Sequence, residues 1–350
     1  MPESIKGRGA SFNTPNRFET LHLEPLEIEY EGEAERPRTV FYKDSSKSVL
    51  ARNDSPDVPF TYSLNPYRGC EHGCIYCYAR PSHEYLGFSA GLDFETRILV
   101  KHDAPELLAE AFRRKSWKPQ MVSLSGNTDC YQPVERTLQL TRRCLEVFLE
   151  FRNPVGIITK NSLISRDLDI LKELARLDLV LATISVTSLD PGLVRKMEPR
   201  TADPYKRLET IEALASNGIP VCVIIAPVIP GLTDREIPLI LKEAAARGAS
   251  SAAYTILRLP GPVEPLFIDW LERELPETAS KVLGRIRGMR GGKLSDQRFG
   301  SRMKGEGEIA RAVKQLFEVT RRKLGMNMRE YSFPTHHFRR APRSQTELFG

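Results

Sequence analysis

The sequence predicts an α/β fold built on parallel βαβ units, and three observations carry that expectation. Six short runs rich in β-branched and apolar residues, 60–64 (FTYSL), 121–125 (MVSLS), 155–160 (VGIITK), 179–186 (LVLATISV), 221–228 (VCVIIAPV) and 252–259 (AAYTILRL), alternate with longer amphipathic stretches. The length of 350 residues exceeds the roughly 100 to 200 of an average domain, leaving one large α/β unit with additions or two domains. Hydrophobic residues make up 41% and charged residues 27%, and no run of about 18 apolar residues occurs, which excludes a membrane span and a wholly disordered chain.

Residues 1–55 carry little periodicity and many turn formers (NTPNRF, EGEAERPR, KDSSKS, RNDSPD), so they read as an extension over the surface of the main unit with at most short strands. The texture changes at Phe60, where the first strand begins. Helical stretches lie near 104–115, 134–151, 166–176, 204–217 and 235–247; in the second, Leu138, Thr141, Leu145, Phe148 and Leu149 recur at the spacing of a helix packed on a sheet. After Leu259 the pattern breaks at PGPVEP. A helix near 265–275 follows, then a loop over GRIRGMRGGKLSDQRFGSRMKGEGE, whose glycine density is that of a connection, and a last helix over 308–324. The expected division is an extension (1–55), a core (56–265) and a basic C-terminal region (266–350).

The formal net charge of +6 is unevenly placed. Residues 281–350 hold 17 Lys and Arg against 6 Asp and Glu, leaving 34 against 39 in the rest. Such a section favours an anionic partner such as nucleic acid, or is a solvated tail. The first ten residues, MPESIKGRGA, lack the apolar core of a secretory signal, so a cytoplasmic location with no membrane partner is expected.

Six cysteines are too few for a disulfide scaffold, and three of them are gathered in NPYRGCEHGCIYCYAR at 65–80. Cys70, Cys74 and Cys77 have C-x3-C-x2-C spacing directly after the first strand, with Gly69 and Gly73 giving the loop freedom to turn three thiolates toward one place. Thiolates select zinc, copper(I) or iron–sulfur clusters. A closed zinc site needs a fourth ligand, for which His72 and His83 are the candidates. A [4Fe–4S] cluster on three cysteines instead keeps one iron open for a ligand. Cys144, in a helical pattern, and Cys222, in a strand, read as core.

The spacing, with the aromatic Tyr76 before the third cysteine, resembles the signature of the radical S-adenosylmethionine superfamily. GCEHGCIYCYAR is similar to the branch that includes spore photoproduct lyase and its uncharacterised relatives, over about 56–260. The resemblance implies a partial (β/α)6 barrel with a [4Fe–4S] cluster on the loop after the first strand. It also implies S-adenosylmethionine chelated at the open iron and cleaved by one electron to methionine and a 5′-deoxyadenosyl radical. A reductase or a flavodoxin- or ferredoxin-type protein would supply the electron. Tyr76 is then assigned to the cofactor pocket.

Active sites of βα barrels gather at the C-terminal ends of the strands. After the second strand, Ser125, Gly126, Asn127 and Thr128 suit an ammonium group bound through carbonyls and a hydroxyl, the place where the family carries a glycine- or serine-rich segment; an ordinary turn held by Asp129 or Thr128 is the competing reading. Lys160 ends the third strand in a Thr-Lys pair similar to the lyase's and suits the methionine carboxylate. On the fourth strand Thr183, Ser185 and Thr187 share a face, and Ser185 is the candidate for ribose or carboxylate oxygens. On the fifth, Ala226 in IIAPVIPG matches an Ala-Pro segment of the lyase and suits adenine. Tyr78 matches a lyase tyrosine that takes part in hydrogen transfer with a cysteine. Gly126 stands at the matching cysteine position, and Cys130, four residues on, is either a displaced hydrogen donor or a small buried residue. The resulting expectation is a radical enzyme of unassigned reaction, acting on nucleic acid; the alternative is a non-catalytic zinc module that binds nucleic acid through the same three cysteines.

Overall fold

The computed structural model describes residues 5–18, 38–327 and 332–340. Parts of the expected N-terminal extension (1–4 and 19–37) and of the basic C-terminal region (328–331 and 341–350) lie outside the described residues. In chain order the strands are β1 (Val40–Lys43), β2 (Leu50–Arg52), β3 (Tyr62–Leu64), β4 (Tyr67–Arg68), β5 (Arg97–Val100), β6 (Val122–Leu124), β7 (Val155–Thr159), β8 (Val180–Ser185), β9 (Val221–Val228) and β10 (Ser251–Ile256).

The six expected strands are β3 and β6 to β10, and they pair in parallel in the order β10-β9-β8-β7-β6-β3, with β2 added antiparallel at the β3 edge. Because the order follows the chain, each crossover returns to the neighbouring strand, as βαβ units do. The sheet edges, β10 and β2, are not bonded to each other, so the barrel is partial, as expected. Central strands of a parallel sheet bury both faces, which is why β6 and β9 read as nearly continuous apolar runs.

Helices Ala104–Arg113, Leu140–Phe151, Leu168–Arg176, Pro204–Ser216 and Ile237–Ala246 lie at the expected places. The expected 134–151 helix is split into Glu135–Leu138 and Leu140–Phe151, because Gln139 takes a left-handed conformation between them. In the longer piece Leu140, Thr141, Cys144, Leu145, Phe148 and Phe151 are buried, the stripe a sheet-packed helix needs.

Two features depart from the sequence reading. Residues 284–288, expected in a loop, complete the helix Pro276–Gly288, because Ala279, Val282, Leu283 and Ile286 bury one face and override the glycines. Residues 40–43, 67–68 and 97–100 form a second, three-stranded sheet, β1-β5-β4, beside the cysteine loop. Helices Val263–Glu274 and Pro276–Gly288 share an apolar core with Ala10, Cys74, Ile75 and Tyr76, so the C-terminal section is packed over that loop. Among the described residues no helix is long and apolar enough to cross a membrane.

Candidate active site

The cysteine loop follows β4 at the C-terminal end of the first barrel strand. Gly69 and Gly73 hold positive φ of 82° and 67°, a conformation that favours glycine, and a Cβ on Gly73 would stand 2.8 Å from Glu95 Oε2. Cys70 and Cys74 are buried and Cys77 half-buried. The surrounding backbone is fixed from distant segments: the Cys70 amide donates to Phe94 O (2.9 Å) and the Ile75 amide to Met197 O (3.0 Å). Arg80, fully buried, donates to Cys74 O at 3.1 and 3.0 Å, to the carbonyls of Ala90 and Gly91, and to Glu95 Oε1 at 2.5 Å. Glu95 in turn accepts from the amides of Gly9 (3.1 Å) and Ala10 (2.9 Å), so a strap of N-terminal residues is stitched onto the loop.

Three cysteines on one loop are donors that fit an iron–sulfur cluster. Burial pushes the Cys77 thiol to about 11 and Cys74 well above its ordinary value, so both stay protonated unless a cationic metal takes the thiolate. Of the two candidate fourth zinc ligands, His72 has both ring nitrogens near polar partners and His83 has one engaged, its Nδ1 being buried without a partner. His72 stands with Nδ1 3.3 Å from Asp129 Oδ2 and Nε2 3.3 Å from Asn161 Nδ2, and His83 Nε2 is bonded to Arg97 O at 2.9 Å. Burial pulls the His72 imidazolium down, but Asp129 and Cys70 together raise it to about 10, whereas burial lowers His83 to about 4. Among the described residues no three His, Cys, Asp or Glu side chains are spaced for a single ion.

Four of the predicted cofactor residues meet at one point. Lys160, directly after β7, places Nζ 2.6 Å from Ser185 Oγ, 3.0 Å from Ala226 O and 3.5 Å from Glu198 Oε1, with the Tyr76 ring 5.7 Å below. The strands explain the meeting: β7, β8 and β9 are adjacent and parallel, so their last residues share one end of the sheet. Burial lowers Lys160 to about 8. At Ala226 the β9–β10 register shifts, around Pro227, which has no amide to offer the ladder.

Beneath them is a buried network that the sequence reading missed. Glu198, 1% exposed, accepts from the Tyr76 hydroxyl, from Thr187 Oγ1 at 2.8 Å and from the buried guanidinium of Arg207, which also donates to Ser185 O at 3.0 Å. Burial pushes the Glu198 carboxyl up against the pull of Arg207. Nothing local marks Glu198 in MEPRT; its role comes from a contact across the barrel. Asp129 was visible as an acid at a strand end, and it accepts from Thr159 Oγ1 (2.8 Å) and the Lys160 amide (2.8 Å) as well as facing His72.

The segment after β6 is drawn into the same mouth. Ser125 and Gly126 hold positive φ. The Ser125 hydroxyl donates to Thr128 O (2.6 Å) and the Thr128 hydroxyl to Tyr67 O (2.8 Å), while the amides of Asn127 and Thr128 donate to Asn65 Oδ1. These two hydroxyls therefore shape the loop, and a ligand would meet backbone carbonyls, each with a second lone pair, and the Asn127 side-chain carboxamide, 3.4 Å from Ser82 Oγ. Tyr78 is half exposed, and its hydroxyl donates to Gly126 O. Cys130 is not with it: the residue is fully buried in the main core, its carbonyl accepting from Thr141 at 2.6 Å, and Cys144 and Cys222 are buried too.

Residues 64–244 match the model of the Radical SAM superfamily. An uncharacterised protein of Mycobacterium tuberculosis is 37% identical over 244 residues, 69% of this chain and 72% of that protein. Spore photoproduct lyase complexed with dinucleoside spore photoproduct superposes with a TM-score of 0.59 at 16% identity, over 82% of this chain and 80% of that one. A mutant of the same lyase with bound AdoMet and dinucleoside spore photoproduct gives 0.58 at 16% identity, over the same shares.

Proposed function

Because the chain belongs to the radical SAM superfamily, we propose that Cys70, Cys74 and Cys77 hold a [4Fe–4S] cluster, that S-adenosylmethionine binds beside it, and that the substrate is a nucleic acid. When bound, the cluster supplies the electron that splits S-adenosylmethionine into methionine and a 5′-deoxyadenosyl radical. A reductase or a flavodoxin- or ferredoxin-type partner delivers that electron.

The observation that carries the reading is the meeting of Lys160, Ser185 and Ala226 beside the cysteine loop. The Lys160 ammonium, already oriented by two short hydrogen bonds, receives the methionine carboxylate as a point charge. Ser185 holds a ribose or carboxylate oxygen, and the half-buried Ala226 offers an apolar patch to adenine. The carbonyls of Ser125 to Thr128 take the ammonium group. Glu198 and Arg207, tied to Tyr76 and to Ser185 O, keep these side chains in place and dry. Tyr78, exposed beyond the last cysteine, stands where a substrate would meet the radical. Nucleic acid is favoured by the basic C-terminal section and by the likeness of fold to a lyase solved with a dinucleoside ligand.

Anaerobic reconstitution followed by reduction and chromatography tests the reading. Wild type yields 5′-deoxyadenosine from S-adenosylmethionine; Cys74→Ala yields none and assembles no cluster, while Cys130→Ala assembles a full one. An intact cluster that gives no 5′-deoxyadenosine, or one equivalent of zinc without iron or sulfide, defeats it.

A further inference from the structure

Beyond the cofactor pocket, three arginines, Arg258, Arg290 and Arg302, gather past the end of β10, and in the first two hydrogen-bonding capacity is not filled. Arg258 follows β10 by two residues; its guanidinium lies 5.7 Å over the Tyr78 ring, one nitrogen stands 3.3 Å from the Met303 sulfur, and its Nε is buried with no partner. Arg290 is 4% exposed. One terminal nitrogen donates to Leu257 O (2.6 Å) and Arg302 O (3.0 Å), while Nε and the other terminal nitrogen are buried and unpartnered. Arg302 reaches Asp57 and, at 2.5 Å, Ser55 Oγ, and stacks 4.3 Å over Phe299. A buried cationic donor without an acceptor is costly, and three like charges side by side add to that cost. The cost shows in the groups themselves: burial, and then Arg302, lower Arg258, and burial lowers Arg290 although Asp296 pulls it up, with Arg258 adding a smaller push down.

The nearby carboxylates do not fill the gap. Asp57 is taken by Arg302 and the Gly300 amide (2.7 Å), and Asp296 by Arg298 and Ser301. An anion from outside the chain would supply the missing acceptor. The rings say which kind: Tyr78 is 50% and Phe299 60% exposed, each with an arginine over its face. Alternating guanidinium groups and open aromatic faces suit a strand of phosphates and unstacked bases.

We propose that Arg258, Arg290 and Arg302 form a phosphate-binding subsite that holds the backbone of an unpaired nucleic-acid strand, with bases stacked on Tyr78 and Phe299. The subsite deepens the reading of a radical enzyme acting on nucleic acid and rests on it. Since Tyr78 directly follows Cys77 and bonds Gly126 O, a phosphate held here sets the adjoining nucleotide at the barrel mouth.

The test is fluorescence anisotropy of a short labelled single-stranded oligonucleotide on the reconstituted full chain across a salt series. Arg258→Gln weakens binding roughly tenfold at low salt and reduces the slope of log affinity against log salt by about 0.7, one phosphate contact on a single strand. Phe299→Ala, at an exposed site where folding is not at stake, weakens binding about fivefold or more and leaves the slope unchanged. Wild-type affinity and slope in both variants overturn the subsite, as does competition by polyglutamate equal to that by unlabelled oligonucleotide. Formation of 5′-deoxyadenosine by wild type without oligonucleotide is measured in parallel. Its loss with the binding results intact defeats the radical-enzyme reading and leaves the subsite; its presence with unaltered variant binding does the reverse.

Discussion

An ammonium group kept inside a protein is a compromise between solvation lost and partners gained, and Lys160 sits on that balance. Burial, with Arg207 adding to it, lowers it to about 8 against the pull of Cys74 and Asp129. Below that value it is charged and, in the proposed role, would receive a carboxylate; as pH rises through it the charge is lost. Calorimetric affinity for S-adenosylmethionine should therefore fall from about pH 7 to about pH 9, by up to about tenfold per unit above the midpoint. Lys160→Met should cost about 2 kcal/mol at the lower pH and flatten the profile. A flat profile in wild type counts against the role. Lys160, Ser185 and Ala226 were legible in the sequence because the end of a barrel strand is a fixed address in space. Glu198 and Arg207 were not, because their meeting with Tyr76 is made by tertiary contact between a loop, a helix and the cysteine segment. The same limit applies to Cys130, whose burial among core side chains depends on which way its turn faces.

At the scale of elements, the strap over the cysteine loop is held by contact too close for a side chain. A Cβ on Gly9 would stand 1.9 Å from Gly73 O, in the stretch between Cys70 and Cys74. Gly9→Ala should push strap and loop apart, cost about 1–3 kcal/mol and lower the iron retained per chain. Thermal melting and iron analysis check this, with Gly284→Ala as control, since that helical position has nothing within 4 Å of an added Cβ. Unaltered iron content in Gly9→Ala would show that the strap plays no part in holding the loop. The six barrel strands were readable because buried parallel strands announce themselves as apolar runs. The small sheet β1-β5-β4 was not, because strands of two to four residues, partly exposed and paired across long stretches of chain, leave no periodic trace. The glycines of 284–288 misled in the opposite direction, since apolar packing outweighs their poor helix propensity.

For the whole molecule, the open side of the barrel is where the C-terminal section does its work. Lys304 Nζ donates to Tyr254 O in β10 at 2.6 Å, while Gly300 and Arg302 hold Asp57 in the loop between β2 and β3, so residues 300–304 join the two edges of the sheet. Much of the described basic charge is thus answered within the chain, as in Arg285–Asp234 and Arg298–Glu306, and a net count overstates what remains for a partner. Asp57→Asn should loosen this seam, seen as faster amide hydrogen exchange in 296–305 with the exchange of β7 to β9 unaltered; unchanged exchange in 296–305 would mean that the bridge does not hold the edges. The cysteine loop has a different dependence, on the order of synthesis. Its three thiols leave the ribosome well before the Met197 carbonyl, the Glu198 carboxylate and the helices after β10 that enclose them. During translation the three cysteines belong to a short, solvated peptide, and only the finished chain turns their loop into a sheltered place.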